Sequence, residues 1–192
     1  MERTELTTRI LYQQDDTALC LLTEQELNGS YPSWFSHEAV NQHNSHWQRP
    51  SSLIQVSQFV ESLKDDKSKL VFAVYAMKDI VHIGNVSLQS IDQFNQCCEV
   101  AFLFGDTEYW GKGYATQSAR LAMKHAFQNM NINRLHLGCL KKNIPMNKLA
   151  IKLGFTQEGL RRQALFNEGT FQDVVEYGLL KDEFTNRINR QS

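Results

Sequence analysis

The chain has 192 residues, 42% of them hydrophobic, with 20 basic against 21 acidic side chains. That is enough for one sizeable core and short for two, so residues 1–192 read as a single domain. The balanced charge offers no basic stripe for nucleic acid, and the short pairs Lys141-Lys142 and Arg161-Arg162 read as solvated surface. The longest strongly apolar run, Leu70 to Met77, is too short to cross a bilayer, and the charged N-terminus lacks an apolar signal core. Cys20, Cys97, Cys98 and Cys139 form no CxxC or metal-ligand spacing, and His37, His43 and His46 add none. Reduced thiols in a cytoplasmic protein, with no metal and no membrane partner, are the expectation.

In chain order, "ALCLLTEQEL" holds a first strand, and Trp34 to Trp47 reads as short helix and loop. Leu53, Val56, Phe59, Val60 and Leu63 fall at helical spacing and predict an amphipathic helix. "LVFAVYAM" predicts a strand buried on both faces, and "MKDIVHIGNVSLQSID" its hairpin partner, turning at Lys78-Asp79. "CCEVAFLFG" is a third strand whose alternation sets Glu99, Ala101 and Leu103 on one face and Cys98, Val100, Phe102 and Phe104 on the other. A helix stripe follows through Ala115, Ala119, Ala122, Met123, Ala126, Phe127 and Met130. Next come a strand "RLHLGCL", a short helix with Pro145 near its start and Gly154 as a left-handed stop, and a last strand "DVVEYGLL". The order predicts an α/β or α+β domain around one mixed sheet.

"EYWGKGYATQ", from Glu108, sets two glycines at the junction of a strand and this long helix. Unpartnered amides at a helix start, with the helix dipole behind them, make an anion site that suits a pyrophosphate. Gly111 and Gly113 let phosphate oxygens approach without meeting a Cβ; a tight turn with no ligand is the alternative. The GxxxxGK[ST] pattern is absent, and Gly111-Lys112-Gly113 lacks the third glycine of a dinucleotide fingerprint, so neither familiar nucleotide motif applies.

"GDTEYWGKGYATQSARLAMKHAF" resembles motif A of the GNAT superfamily, the acetyl-CoA-dependent N-acetyltransferases. Gly113 and Ala115 match its Gln/Arg-x-x-Gly-x-Gly/Ala signature, while Trp110 stands where Gln or Arg is usual. That departure resembles the branch of ribosomal-protein N-terminal acetyltransferases and amino-sugar-nucleotide N-acetyltransferases. "LHLGCLKKNIPMNKLAIKLGF" resembles motif B, and the likeness covers about the last two-thirds of the chain. It implies a mixed, mostly antiparallel sheet split into a V around an acetyl-CoA cleft. By resemblance, Leu103, Phe104 and Gly105 pair with the pantetheine arm, Gly111, Lys112, Gly113, Tyr114, Ala115 and Thr116 hold the pyrophosphate, and Asn143 touches pantetheine. Lys148 is a further phosphate candidate, and helix capping is the alternative for Asn143. Glu99 is the implied base, with a solvated strand-end carboxylate as its alternative reading. The family's usual acid donors are missing, since Ala150 stands at the tyrosine position and Met146 at the serine position. Cys139 or the leaving thiol's own acidity could take their place.

The N-terminal part, about residues 1–68, shapes the acceptor site in this reading, and 69–181 form the acetyl-CoA core. Trp34, Phe35 and His46 are the expected acceptor contacts, with Tyr31, His43, Asn44 and Trp47 as further stacking or hydrogen-bonding groups. An amine on an amino-sugar nucleotide is the first expectation and a protein N-terminal α-amine the second, transfer being direct, by a monomer or homodimer. A non-catalytic acetyl-CoA sensor or scaffold is the rival, motivated by the missing acid donors.

Overall fold

The computed structural model describes residues 3–42 and 51–189 of the chain. The strands are β1 (Tyr12–Gln14), β2 (Thr17–Leu21), β3 (Leu70–Ala76), β4 (Val81–Asp92), β5 (Cys97–Leu103), β6 (Arg134–Leu140), β7 (Thr156–Asn167) and β8 (Thr170–Leu180). The helices are α1 (Arg3–Thr7), α2 (Glu38–Asn41), α3 (Leu53–Ser62), α4 (Tyr114–Gln128), α5 (Ile144–Leu153) and α6 (Lys181–Asn189), with short 3-10 turns between β2 and α2. All eight strands join one sheet in the order β1-β2-β3-β4-β5-β6-β8-β7. Among the described residues β5 and β6 form the one parallel pair; every other pair is antiparallel.

Each face of the sheet carries its own core. Phe72, Val74, Ile83, Val86 and Leu88 form one core with Ala119, Ala122, Met123 and Phe127 of α4 and Ala150 and Leu153 of α5. Val71, Ala73 and Tyr75 meet the 3-10 turns and α3 through Tyr31, Trp34, Val56 and Val60. β3 is buried on both faces, as its apolar run predicts. A capping box starts α3, in which Ser52 and Gln55 each accept from the other's backbone N–H. Of α3's predicted stripe only Val56 and Val60 are fully buried, whereas Leu53 is 61% exposed.

Four elements have no periodicity that predicts them: β1, β7, α1 and α6. β7 is the instructive one. Eleven of its twelve positions are exposed or half-buried, so no hydrophobic alternation marks it. It is held instead by pairing to β8 through a two-residue turn in which Glu168 and Gly169 both have positive φ, the geometry of a type I′ hairpin.

One charged group is fully enclosed. The Glu26 carboxylate accepts from Arg9 Nη2 (2.9 Å), Tyr75 Oη (2.8 Å) and Thr23 N (2.7 Å). Burial alone would push its pKa up, but the hydrogen bonds from Thr23 and Tyr75 and the Arg9 guanidinium together hold it below the usual carboxylate range. Removing one partner of a buried pair leaves an uncompensated charge, so Arg9→Ala should lower the unfolding free energy in urea by about 3 kcal/mol. Because the folded pKa lies below the unfolded one, Glu26's contribution is complete above about pH 4.3 and is lost as pH falls through the folded value.

Candidate active site

β5 and β6 stay in register for three residues only, Cys97 to Glu99 against Arg134 to His136, and then diverge. From Val100 onward β5 keeps β4 on one side and presents an open edge on the other. Such an edge has unpaired amides and carbonyls ready to take an added strand. Glu99 is the last paired residue and sits, half-buried, at the apex of the V. Its register partner on β4 is Gln89, so it shares a face with Ala101 and Leu103, as alternation predicts.

At the open end of the V, Leu103 and Phe104 are half-buried and Gly105 is buried. The Phe104 carbonyl accepts from Trp110 Nε1 at 3.0 Å, so the residue that departs from the expected Gln or Arg ties the loop back to the strand end. A Cβ on Gly105 would lie 1.8 Å from the Trp34 ring, so only glycine lets that ring lie against the backbone.

The turn beyond has the predicted special backbone. Gly111 has φ +74° and Gly113 φ +95°, and a Cβ at either would meet no protein atom within 4 Å. Gly113 is the N-cap of α4 and offers no side-chain cap. Its carbonyl is taken by the Thr116 and Gln117 N–H groups at 3.0 and 3.1 Å, so the earlier amides of the turn face outward. Tyr114 is pinned by its hydroxyl to Asp16, and Thr116 is buried beside half-buried Ala115. Exposed Lys112 lies over the Tyr109 ring at 5.2 Å. These residues fit a pyrophosphate: a helix start with open amides, empty space where side chains would stand, and a lysine beside it.

On the face shared with Glu99 the protein has a cavity of about 350 Å³. Asn85, Ser87 and Gln89 of β4 supply polar groups, Phe35, Val56, Phe59 and Leu103 an apolar wall, and Lys69 the one charged side chain lining it among the described residues. Phe35, one of the expected acceptor contacts, lines this cavity. Trp34 does not: it is 2% exposed and packs against Tyr31 and His82 with ring centroids 5.4 and 4.8 Å away, forming wall rather than surface. Tyr31 is likewise 1% exposed. His46, with His43, Asn44 and Trp47, lies outside the described residues.

The family described as Acetyltransferase (GNAT) domain matches residues 18–156. The chain belongs to that family. An uncharacterized N-acetyltransferase of Bacillus licheniformis, p20, is 33% identical over 53% of this chain and 57% of its own length. The ribosomal-protein-serine acetyltransferase of Escherichia coli is 28% identical over 52% of this chain and 55% of its own. The chain thus spans little more than half the length of these relatives. The spermidine N-acetyltransferase of Vibrio cholerae, solved in complex with CoA and spermine, superimposes with a TM-score of 0.82 over 90% of this chain and 100% of that one, at 21% identity. That last likeness is one of fold.

Within this GNAT frame the β6–α5 corner carries the positions at which the usual acid donors are missing. Asn143 caps α5, its Oδ1 accepting from Met146 N at 3.1 Å, which is the helix-capping alternative; Nδ2 is the group left to reach a ligand. Ala150 is fully buried in the α4–α5 core and Met146 is half-buried. Asn147, which the sequence reading passed over, bonds through Nδ2 to the carbonyls of Leu140 and Asn143 and accepts from Tyr177 Oη at 2.7 Å. Its place one residue after the missing serine was the available signal. Cys139 faces the core, and burial pushes its thiol up to about 11, with Glu176 adding to the effect. Thiol chemistry needs an accessible thiolate, so Cys139→Ala should keep kcat within about twofold. In the native protein Cys97, the one half-exposed cysteine, should react first with a thiol reagent at pH 8, read by peptide mass mapping.

Proposed function

We propose that the chain transfers the acetyl group of acetyl-CoA directly to a primary amine, and that the acceptor is the α-amine of a protein or peptide N-terminus. The observation that carries the transfer is the alignment of three features along one cleft. The bare helix start at Gly111–Thr116 leads to the open β5 edge at Leu103–Gly105, and that edge leads to Glu99 where the V closes. Acetyl-CoA supplies the thioester. The turn amides would hold its phosphates and the β5 edge its extended arm, while Glu99 would take the proton as nitrogen attacks the carbonyl carbon. The C–S bond then breaks, and the thiolate departs without a dedicated donor. An α-amine has an unperturbed pKa of about 8, so the base has a modest task.

Two features of the cavity support a peptide terminus. Trp34, a ring that would stack on a sugar or base, is enclosed in the core, and Tyr31 borders the cavity with only 1% of its surface exposed, which weighs against the amino-sugar nucleotide. Among the described residues lining the cavity the one charged side chain is Lys69, and no carboxylate stands there to hold the several ammonium groups of a polyamine. Amides and a hydroxyl beside an apolar wall suit a peptide's first carbonyl and side chain. The test is acetyl-CoA turnover against short peptides, an amino-sugar nucleotide and spermidine. Peptides should lead in kcat/KM by about tenfold or more. A lead for either other amine overturns the acceptor, and acetyl-CoA binding without turnover on any of them favours the sensor.

A further inference from the structure

A bulge in β4 places a histidine beneath the cavity. Tyr75 of β3 pairs with His82 and Val74 with Gly84, so Ile83 is an extra residue between them. In a regular strand, residues three apart face opposite ways; one inserted residue returns them to the same side. His82 therefore shares the cavity face with Asn85, Ser87 and Gln89, and its Nε2 reaches Asn85 Oδ1 at 2.9 Å and the Gly84 carbonyl at 3.0 Å. The Gly84 oxygen can only accept, which fixes the proton on Nε2. With Nε2–H donating, Asn85 must turn Oδ1 to the histidine and its NH2 the other way.

The ring is held for this task. Tyr75 stacks on it at 5.3 Å with planes 28° apart, Trp34 lies 4.8 Å away, and Nδ1 is buried with no hydrogen-bond partner. Burial lowers the His82 pKa against the opposing pull of Asn85 and Glu26, so the ring is neutral and keeps this tautomer. Asn85 is itself 5% exposed and lines the cavity, and its Nδ2 is not among the buried unpartnered atoms.

We infer that Asn85, oriented by His82, is a specificity-determining residue that directs N–H donors at the acceptor and so selects amines flanked by a hydrogen-bond-accepting oxygen, such as a peptide's first carbonyl. This rests on reading the cavity as the acceptor site and deepens it: the chemistry beside the amine, not the amine alone, is recognised. His82 is a positioning residue that acts through Asn85. The loss of a single hydrogen bond to a neutral group corresponds to about a tenfold change.

The experiment compares acetylation of alanyl-alanine amide with that of sec-butylamine, which has no carbonyl, by the wild type, Asn85→Leu, His82→Phe and His82→Gln. Taking each variant relative to wild type cancels the different basicity of the two amines. Asn85→Leu and His82→Phe should lower the peptide-to-alkylamine ratio of kcat/KM about tenfold, chiefly through KM for the peptide. His82→Gln, which keeps a donor, should recover most of it. The KM for acetyl-CoA and the melting temperature report whether each variant is folded. Equal losses on both amines, or a ratio that holds across all variants, overturn the inference. If the peptide is the good acceptor while the ratio holds, the inference fails and the peptide reading stands. If the wild type prefers an amino sugar while the ratio still shifts, the peptide reading fails and the inference stands; a preference for spermidine, which has no such oxygen, overturns both.

Discussion

Replacing Glu99 with Gln should lower kcat/KM for an α-amine acceptor at pH 7 by about 100-fold, the lower end of what a positioned base contributes. The substitution keeps size and hydrogen bonding and removes the proton acceptor. Glu99 ends the paired part of β5 and β6, and its side chain lies on the sheet face that carries the cavity rather than on the α4 face. The deficit should be largest where the amine arrives protonated. An α-amine with a pKa of about 8 is mostly charged at pH 7 and mostly neutral at pH 9, so the variant should recover toward wild type as pH rises. A strand-end carboxylate with no role would give no loss and no such pH dependence. A variant within twofold of wild type at pH 7 removes Glu99 as the base and leaves the fold untouched. Acetyl-CoA affinity should change little, because the turn proposed to hold its phosphates lies beyond the far end of β5.

The backbone of the Gly111–Gly113 turn and of α5 is readable from sequence because its signals are local. Two glycines must take positive φ before a helix, and a proline and a glycine bracket α5, so the residues announce the backbone. β3 and α4 were readable because burial imposes a period on them. The acceptor half was not, since its arrangement depends on long-range pairing. Nothing in "VHIGNVSLQ" shows that Ile83 is the extra residue, and without it His82 would face the other way. The aromatic residues near Trp34 pointed to an acceptor site, yet whether a ring faces solvent or a glycine just past a distant strand is a tertiary fact; Trp34 lies on Gly105. β7 lacks a pattern because an edge strand polar on both faces has nothing to hide from water. Trp110 reads as a mismatch to a motif until its indole is seen bonded to the Phe104 carbonyl.

Gly113→Val should raise the dissociation constant for acetyl-CoA about 100-fold or more, measured by calorimetry, and Gly169→Val provides the comparison that isolates the cause. Both glycines have positive φ, +95° and +78°, and at neither would a Cβ touch a protein atom within 4 Å. Each substitution therefore imposes a similar backbone strain, about 1–2 kcal/mol, and each should lower the melting temperature by a few degrees, about 4 °C. They differ in what the open space is for. At Gly169 it is the tip of the β7–β8 hairpin. At Gly113 it lies before the outward amides of α4, where the new methyl groups would hold phosphate oxygens away from their donors. Losing two such charge-assisted bonds, at about 1.5–3 kcal/mol each, exceeds the strain and accounts for the expected factor. Equal acetyl-CoA affinity in the two variants would mean that the turn at Gly111–Gly113 is merely a turn, and the reading of α4 as the phosphate site would fall with it.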